Sequence, residues 1–141
     1  MTIDKVFEKI LNPSPLRKLK RKLFPSKEVR AFRRMHRRHS KELVKIAKQA
    51  YPFDYGWLDE LVHTQIKHMH EYFSAGNNVW QTDETRLPIV GQLQHVMDLY
   101  DEMDNLWDSS TKEFGEVYKR EQELYEEIYG FIGSNLKGWW D

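Results

Sequence analysis

The chain contains no cysteine, so neither a disulfide nor a thiolate metal site can hold it together, and a reducing compartment suits it. No run approaches the ~20 apolar residues of a membrane-spanning helix, and the N-terminus lacks the apolar core of a signal peptide. The expectation is a protein of the cell interior with no transmembrane segment. Glycine and proline are sparse, at seven and five, and there is no glycine-rich phosphate loop, Gly-x-Ser-x-Gly elbow or cysteine nucleophile. Catalysis therefore has little support, and a non-enzymatic protein without a cofactor is expected. Strand-like alternation, internal repeats and low-complexity stretches are also missing.

What is present is a foldable, aromatic-rich chain of 141 residues, 40% hydrophobic, with five Trp, seven Tyr and seven Phe. That length suits one compact domain with a real core. Its zero net charge conceals a sharp division. Residues 1–50 hold 16 Lys+Arg against 4 Asp+Glu, whereas residues 51–141 hold 6 against 18. The two parts thus carry surpluses of twelve positive and twelve negative charges. Such asymmetry points to an anionic partner, to a neighbouring copy, or to self-neutralisation.

Helical periodicity runs through the whole sequence. Ile3, Val6, Phe7, Ile10 and Leu11 recur on one face of a short helix that Thr2 can cap and that Asn12, Pro13 and Pro15 end. A basic segment, Leu16 to Phe24, follows. Ser26 as cap, with Glu28 in the first turn, opens a helix over about 27–50 whose apolar face collects Phe32, Met35, His36, His39, Leu43, Ile46, Ala47 and Ala50. Asp54 can cap a helix over about 55–73 bearing Leu58, Leu61, Val62, Ile66, Met69, Tyr72 and Phe73. Residues 74–85 read as a polar loop. Pro88 suits the first turn of a helix carrying Ile89, Leu93, Val96, Met97, Tyr100, Met103 and Trp107. Ser110 with Glu113 has capping-box spacing before a last helix with Phe114, Val117, Tyr118, Tyr125, Ile128 and Ile132. Leu136, Trp139 and Trp140 form an aromatic tail. The fold expected is all-α: a bundle of about four main helices over 26–141, preceded by a basic arm over 1–25 with its short amphipathic helix.

From Phe53 onward the chain resembles a group of small uncharacterised helical proteins of tailed bacteriophages. The similar features are Phe53-Asp54-Tyr55-Gly56-Trp57-Leu58, the helix ending Met69-His70-Glu71-Tyr72-Phe73, a polar loop, further acidic helices, and Gly138-Trp139-Trp140-Asp141. The resemblance covers about two thirds of the chain and leaves out the basic segment. It implies a phage accessory protein in the host-cell cytoplasm, with the virion as the alternative location, and it carries over no catalytic residue.

Two histidine patterns invite a metal reading. Glu60 and His63 have the Glu-x-x-His spacing of di-iron bundles, but no second copy exists, and both fall roughly 140–160° from the centre of their helix's apolar face, which suits a solvated face. His63 and His70 share a face yet stand ~10.5 Å apart along the axis, too far for one ion. No metal site is therefore expected. Glu121 falls within the apolar stripe of the last helix, where a lone carboxylate is costly, so pairing with His36, His39 or a basic side chain is expected.

The strongest functional signal is cationic. At ~100° per residue, Arg30, Arg34, Arg37, Lys41, Lys45 and Lys48 fall within roughly 80° of one another, a stripe ~27 Å long. Arg17, Lys18, Lys20, Arg21 and Lys22 form a second cluster just before it. Phosphate backbones reward such an arrangement through counterion release, so nucleic acid or another polyanion is the leading partner. Aromatics interleave poorly with the stripe, which argues against base stacking. An apolar-faced helix followed by basic residues could lie on an anionic membrane if it were free, but docking of Ile3, Val6, Phe7 and Ile10 onto the protein's own core is the expected fate. Asp98, Asp101, Glu102, Glu116, Glu123, Glu126 and Glu127 fall on outward helix faces and could meet a basic host or viral protein, as an inhibitor or nucleic-acid mimic would, or the basic part of a second copy in a homo-oligomer.

Overall fold

The structure, a computed structural model, describes residues 15–52, 54–76, 81–108 and 113–139, without the side chains of Arg17 and Arg21. The amphipathic helix expected near the N-terminus lies outside the described residues, as do Phe53, Ser110, Trp140 and Asp141. The fold is an all-α helical bundle, and no strand occurs among the described residues. In chain order the helices are α1 (Pro15–Leu23), α2 (Lys27–Ala47), α3 (Gly56–Ser74), α4 (Asp83–Asp108) and α5 (Phe114–Asn135), followed by a single 3-10 turn, Leu136–Trp139. Two compact units divide the chain, residues 1–40 and 41–141, and the division falls within the α2 range.

The first unit is built from short-range signals. Proline opens α1 at Pro15, where its missing N–H costs nothing. Leu16, Leu19 and Leu23 follow at i, i+3 and i+7, with Lys18, Lys20 and Lys22 between them. The Ser26 hydroxyl then caps α2 by accepting from the Val29 amide at 3.3 Å. Glu28 in the same turn is held below its usual carboxylate pKa by its own backbone amide and by Ser26. The apolar face expected for this helix does not become a core face along its length. Phe32 is half exposed, His36 and Ala47 are exposed, and the buried residue of α2 is Ile46, in the second unit.

The second unit holds the core. Leu93, Val96, Leu124 and Ile128 are fully buried, joined by Ile66, Phe73, Tyr100, Met103 and Trp139. Each such side chain contributes on the order of 1.5–3 kcal/mol relative to leaving it in water. α4 packs on α3 and on α5, and the pairs run antiparallel: the end of α3 meets the start of α4 through Arg86, and the end of α4 meets the start of α5 through Trp107.

Helix boundaries follow local chemistry. Asp54 Oδ1 accepts from the first amide of α3, Gly56, at 2.8 Å, and a Cβ at Gly56 would press on that oxygen at 3.1 Å. The α4 helix begins at Asp83, so Pro88 lies inside it rather than in its first turn. Thr82 starts it, its carbonyl accepting from the Thr85 and Arg86 amides, and the acids Asp83 and Glu84 complement the positive end of the helix dipole. α5 begins at Phe114 with Glu113 itself at the N-cap position and no side-chain cap bond, which corrects the capping-box register.

Candidate functional surfaces

The cations singled out in the sequence stand in both units. In the first, Lys18, Lys20 and Lys22 on α1 and Arg30, Arg34 and Arg37 on α2 are all exposed. Arg37 donates to the Arg33 carbonyl at 3.3 Å, which aligns its side chain along the helix. Among the described residues none of these six forms an ion pair, so their charge faces solvent. Arg33 and Lys27 add further exposed charge that the stripe left out. In the second unit Lys41, Lys45 and Lys48 are likewise exposed and without an ion pair among the described residues. Arg17 and Arg21 lie on α1, and their side chains are outside the description.

The acidic surface is less uniform than its sequence suggests. Asp98, Asp101, Glu102, Glu116, Glu123, Glu126 and Glu127 are all exposed. Three of them converge on Arg120, which sequence reasoning passed over: its Nη2 lies 2.8 Å from Glu102, and its Nη1 lies 3.4 Å from Glu123 and 3.3 Å from Glu127. These carboxylates, the Glu102 hydrogen bond foremost, raise the Arg120 pKa further. Asp98 accepts from Gln94 Nε2 at 2.9 Å. The Glu121 carboxylate takes the Trp107 indole N–H at 2.9 Å, a neutral donor in place of the cation expected for it.

A polar network at the α3–α4–α5 seam also went unseen in the sequence. Asp59 accepts from the hydroxyls of Tyr100 at 2.9 Å, Tyr129 at 2.5 Å and Tyr125 at 3.4 Å. Burial, reinforced by the neighbouring Tyr129 hydroxyl and Asp59, pushes the Tyr100 phenol well above its ordinary pKa, and Tyr129 is raised to about 12 by burial and by Asp59. The available signal was Asp59 one turn before His63 with tyrosines four apart at 125 and 129, a pattern too short to separate from packing.

His63 does not lie on a solvated face. Its ring stacks on Tyr100 with centroids 3.9 Å apart, its Nε2 is buried without a hydrogen-bond partner, and burial, with Lys67 adding repulsion, lowers its pKa. Glu60 is exposed. His68 is buried and bonds Glu42 at 2.8 Å through Nε2. Among the described residues no three His, Asp or Glu side chains are placed to share an ion. No described helix is long and apolar enough to cross a membrane.

One cleft, of about 380 Å³, opens between the start of α4 and the end of α5, lined by Gln81, Thr85, Ile89, Gln92 and Asn135 among others. The Gln92 side chain is committed there, its Oε1 accepting from the Trp139 indole at 2.7 Å. A second feature sits at the other end of that hairpin. Trp107 and Phe114 pack with ring centroids 5.6 Å apart, Tyr118 lies one turn beyond on α5, and all three are exposed. The chain matches no protein-family model, no curated protein and no solved structure, so the chemistry of these surfaces has to speak for itself.

Proposed function

We propose that this chain is a non-enzymatic accessory protein, of the phage kind its sequence resembles, that binds nucleic acid or a nucleic-acid-bearing complex through its basic segment. The observation that carries the proposal is the exposure of Lys18, Lys20, Lys22, Arg30, Arg34 and Arg37 with no ion pair on any of them among the described residues. Cations neutralised by their own chain would have no counterions to release; solvated ones do. Arginines spaced at i, i+4 and i+7 along one helix suit a row of phosphates, and nothing in the arrangement selects a base sequence. Binding is therefore expected to be indifferent to sequence and steeply salt-dependent. Lys41, Lys45 and Lys48 of the second unit are expected to add to it.

Filter binding of duplex DNA, single-stranded DNA and RNA across a salt series tests the proposal. Affinity at low salt that falls as salt rises, and that drops by at least about tenfold in an Arg30→Glu, Arg34→Glu, Arg37→Glu variant, supports it. No affinity for any nucleic acid at low salt dismisses it.

A second reading, in which the acidic helices engage a basic host or viral protein, draws on Asp101, Glu116 and Glu126, exposed and outside any ion pair among the described residues. Capture of one stoichiometric protein that survives nuclease treatment would favour it.

A further inference from the structure

We infer that the aromatic patch at the α4–α5 hairpin is a docking surface for the α1 helix of a second copy of this chain. The patch combines three features. Trp107, Phe114 and Tyr118 are aromatic and exposed, Phe114 by 72%, where an isolated monomer would have no reason to gather rings in water. Their positions are fixed before any partner arrives: the Trp107 indole is tied to Glu121, its ring rests on Phe114, and Phe114 and Tyr118 share one face of α5 at i and i+4. Rigid aromatics of this kind supply contact area with little entropy left to lose. Finally, the rim is anionic, with Asp104, Asp108 and Glu113 exposed in the turns that carry Trp107 and Phe114.

A surface of apolar rings within an acidic rim calls for an apolar stripe flanked by cations. The chain carries that counterpart itself. On α1, Leu16, Leu19 and Leu23 form a stripe and Phe24 extends it, all more than half exposed, with Lys18, Lys20 and Lys22 alongside. Those leucines have no role in holding phosphates, so they remain unexplained by nucleic-acid binding alone. The equal and opposite charge surpluses of the two parts of the sequence make a contact between copies self-neutralising, and they keep like parts of two molecules apart. Complementarity of this sort, in which one patch recognises a different patch on the next molecule, is either reciprocated in a closed dimer or repeated head to tail.

The inference goes beyond nucleic-acid binding and is tested without nucleic acid. Sedimentation of the nuclease-treated full chain should show association at low salt that is lost at high salt. A Phe114→Ser, Tyr118→Ser variant and a Leu19→Ser, Leu23→Ser variant, all at exposed positions and each checked for helicity, should associate at least about tenfold more weakly alone. Mixed in equal amounts they should recover a 1:1 heterodimer, since one retains the patch and the other the stripe. Mere misfolding of either variant could not give that recovery. A chain that stays monomeric at low salt, a patch variant that associates like the unaltered protein, or a mixture that fails to pair would each overturn the inference. Nucleic-acid affinity of the patch variant, measured by the same filter assay, should not fall and should rise wherever association otherwise covers Lys18, Lys20 and Lys22, so loss of one property is read separately from loss of the other.

Discussion

Asp59 on α3 and Tyr100 on α4 meet at 2.9 Å in the seam where α5 also delivers Tyr125 and Tyr129, so one carboxylate organises hydroxyls from two other helices. A charged acceptor makes these bonds worth more than neutral ones, and removing it strands the Tyr100 hydroxyl in a buried site. Asp59→Ala is expected to cost about 2–3 kcal/mol, and Tyr129→Phe, at the exposed edge of the network, less than half of that. Urea unfolding followed by circular dichroism measures both. Equal costs would mean that Asp59 serves Tyr129 alone.

The same seam makes the protein sensitive to alkali. Tyr100 and Tyr125 are raised chiefly by burial, and Tyr129 is raised to about 12. The folded state therefore keeps these protons where an unfolded tyrosine, near pH 10, has released them. Their contribution is complete below the unfolded pKa and is lost as pH climbs from there toward and through the folded values. Phenolate absorbance should show Tyr100, Tyr125 and Tyr129 ionising only at a pH above that at which they ionise in the unfolded chain, with stability falling above about pH 10. Ionisation of these three in the folded protein near pH 10, as in the unfolded chain, would contradict the network.

On the acid side the relevant group is His63, whose pKa burial holds below the usual histidine value, with Lys67 of its own helix adding repulsion and Asp104, Asp59 and Asp101 opposing. A depressed histidine stabilises above its unfolded pKa of about 6.5 and loses that contribution as pH falls through the folded value. His63→Phe keeps a ring against Tyr100 and removes the buried, unpartnered Nε2. It should be no less stable at neutral pH and should flatten the loss of stability below about pH 6.5. An unchanged acid limb in thermal melts would assign that limb to other groups.

Much of the fold was legible because α4 reads as a clean amphipath: Ile89, Leu93, Val96, Tyr100 and Met103 recur at helical spacing, and all are buried. Side chains that serve two neighbours were harder to see. On α5 the aromatics Phe114, Tyr118 and Tyr125 pull the apparent apolar stripe toward the helix edge, and Leu124, fully buried, does not stand out between Glu123 and Tyr125. On α3 the periodicity identified Ile66 and Phe73 but not Thr64 or His68, buried on a second side where Glu42 supplies a hydrogen bond from a residue 26 positions away. The basic cluster was visible because charge follows composition, whereas the convergence of Glu102, Glu123 and Glu127 on Arg120 depends on how two helices meet. Contacts of that kind leave no local periodic trace.

The turn between α3 and α4 carries a prediction of its own. Arg86 Nη1 donates to the Phe73 carbonyl at 2.8 Å and Nη2 pairs with Asp83 at 2.8 Å, so a cation sits where the last carbonyls of α3 and its dipole want one. Gly76, at φ 66°, turns the chain just past that end in a conformation that costs an L-residue about 1–2 kcal/mol. Arg86→Ala should destabilise by about 1–2 kcal/mol, with Arg86→Lys recovering only part because an ammonium cannot fork to two acceptors. Gly76→Ala should cost about 1 kcal/mol independently. Hydrogen exchange should locate the Arg86→Ala loss in the last turn of α3, and protection there equal to the unaltered protein would count against the cap.

Trp139 closes the core from the C-terminal side. It is 2% exposed in the 3-10 turn after α5, and its indole N–H reaches back to Gln92 Oε1 on α4 at 2.7 Å. The ring belongs to the same buried cluster as Ile89 and Leu93 of α4, and the hydrogen bond fixes how it enters. Trp139→Ala should therefore cost about 3–5 kcal/mol through the lost apolar burial and the cavity left behind. Trp139→Phe should cost less, and Gln92→Leu in the Trp139 background should leave the indole N–H stranded at about 1–2 kcal/mol. If the double change Trp139→Phe, Gln92→Leu is no worse than Trp139→Phe alone, the two residues form one coupled unit. If their costs simply add, the bond between them contributes nothing to the fold.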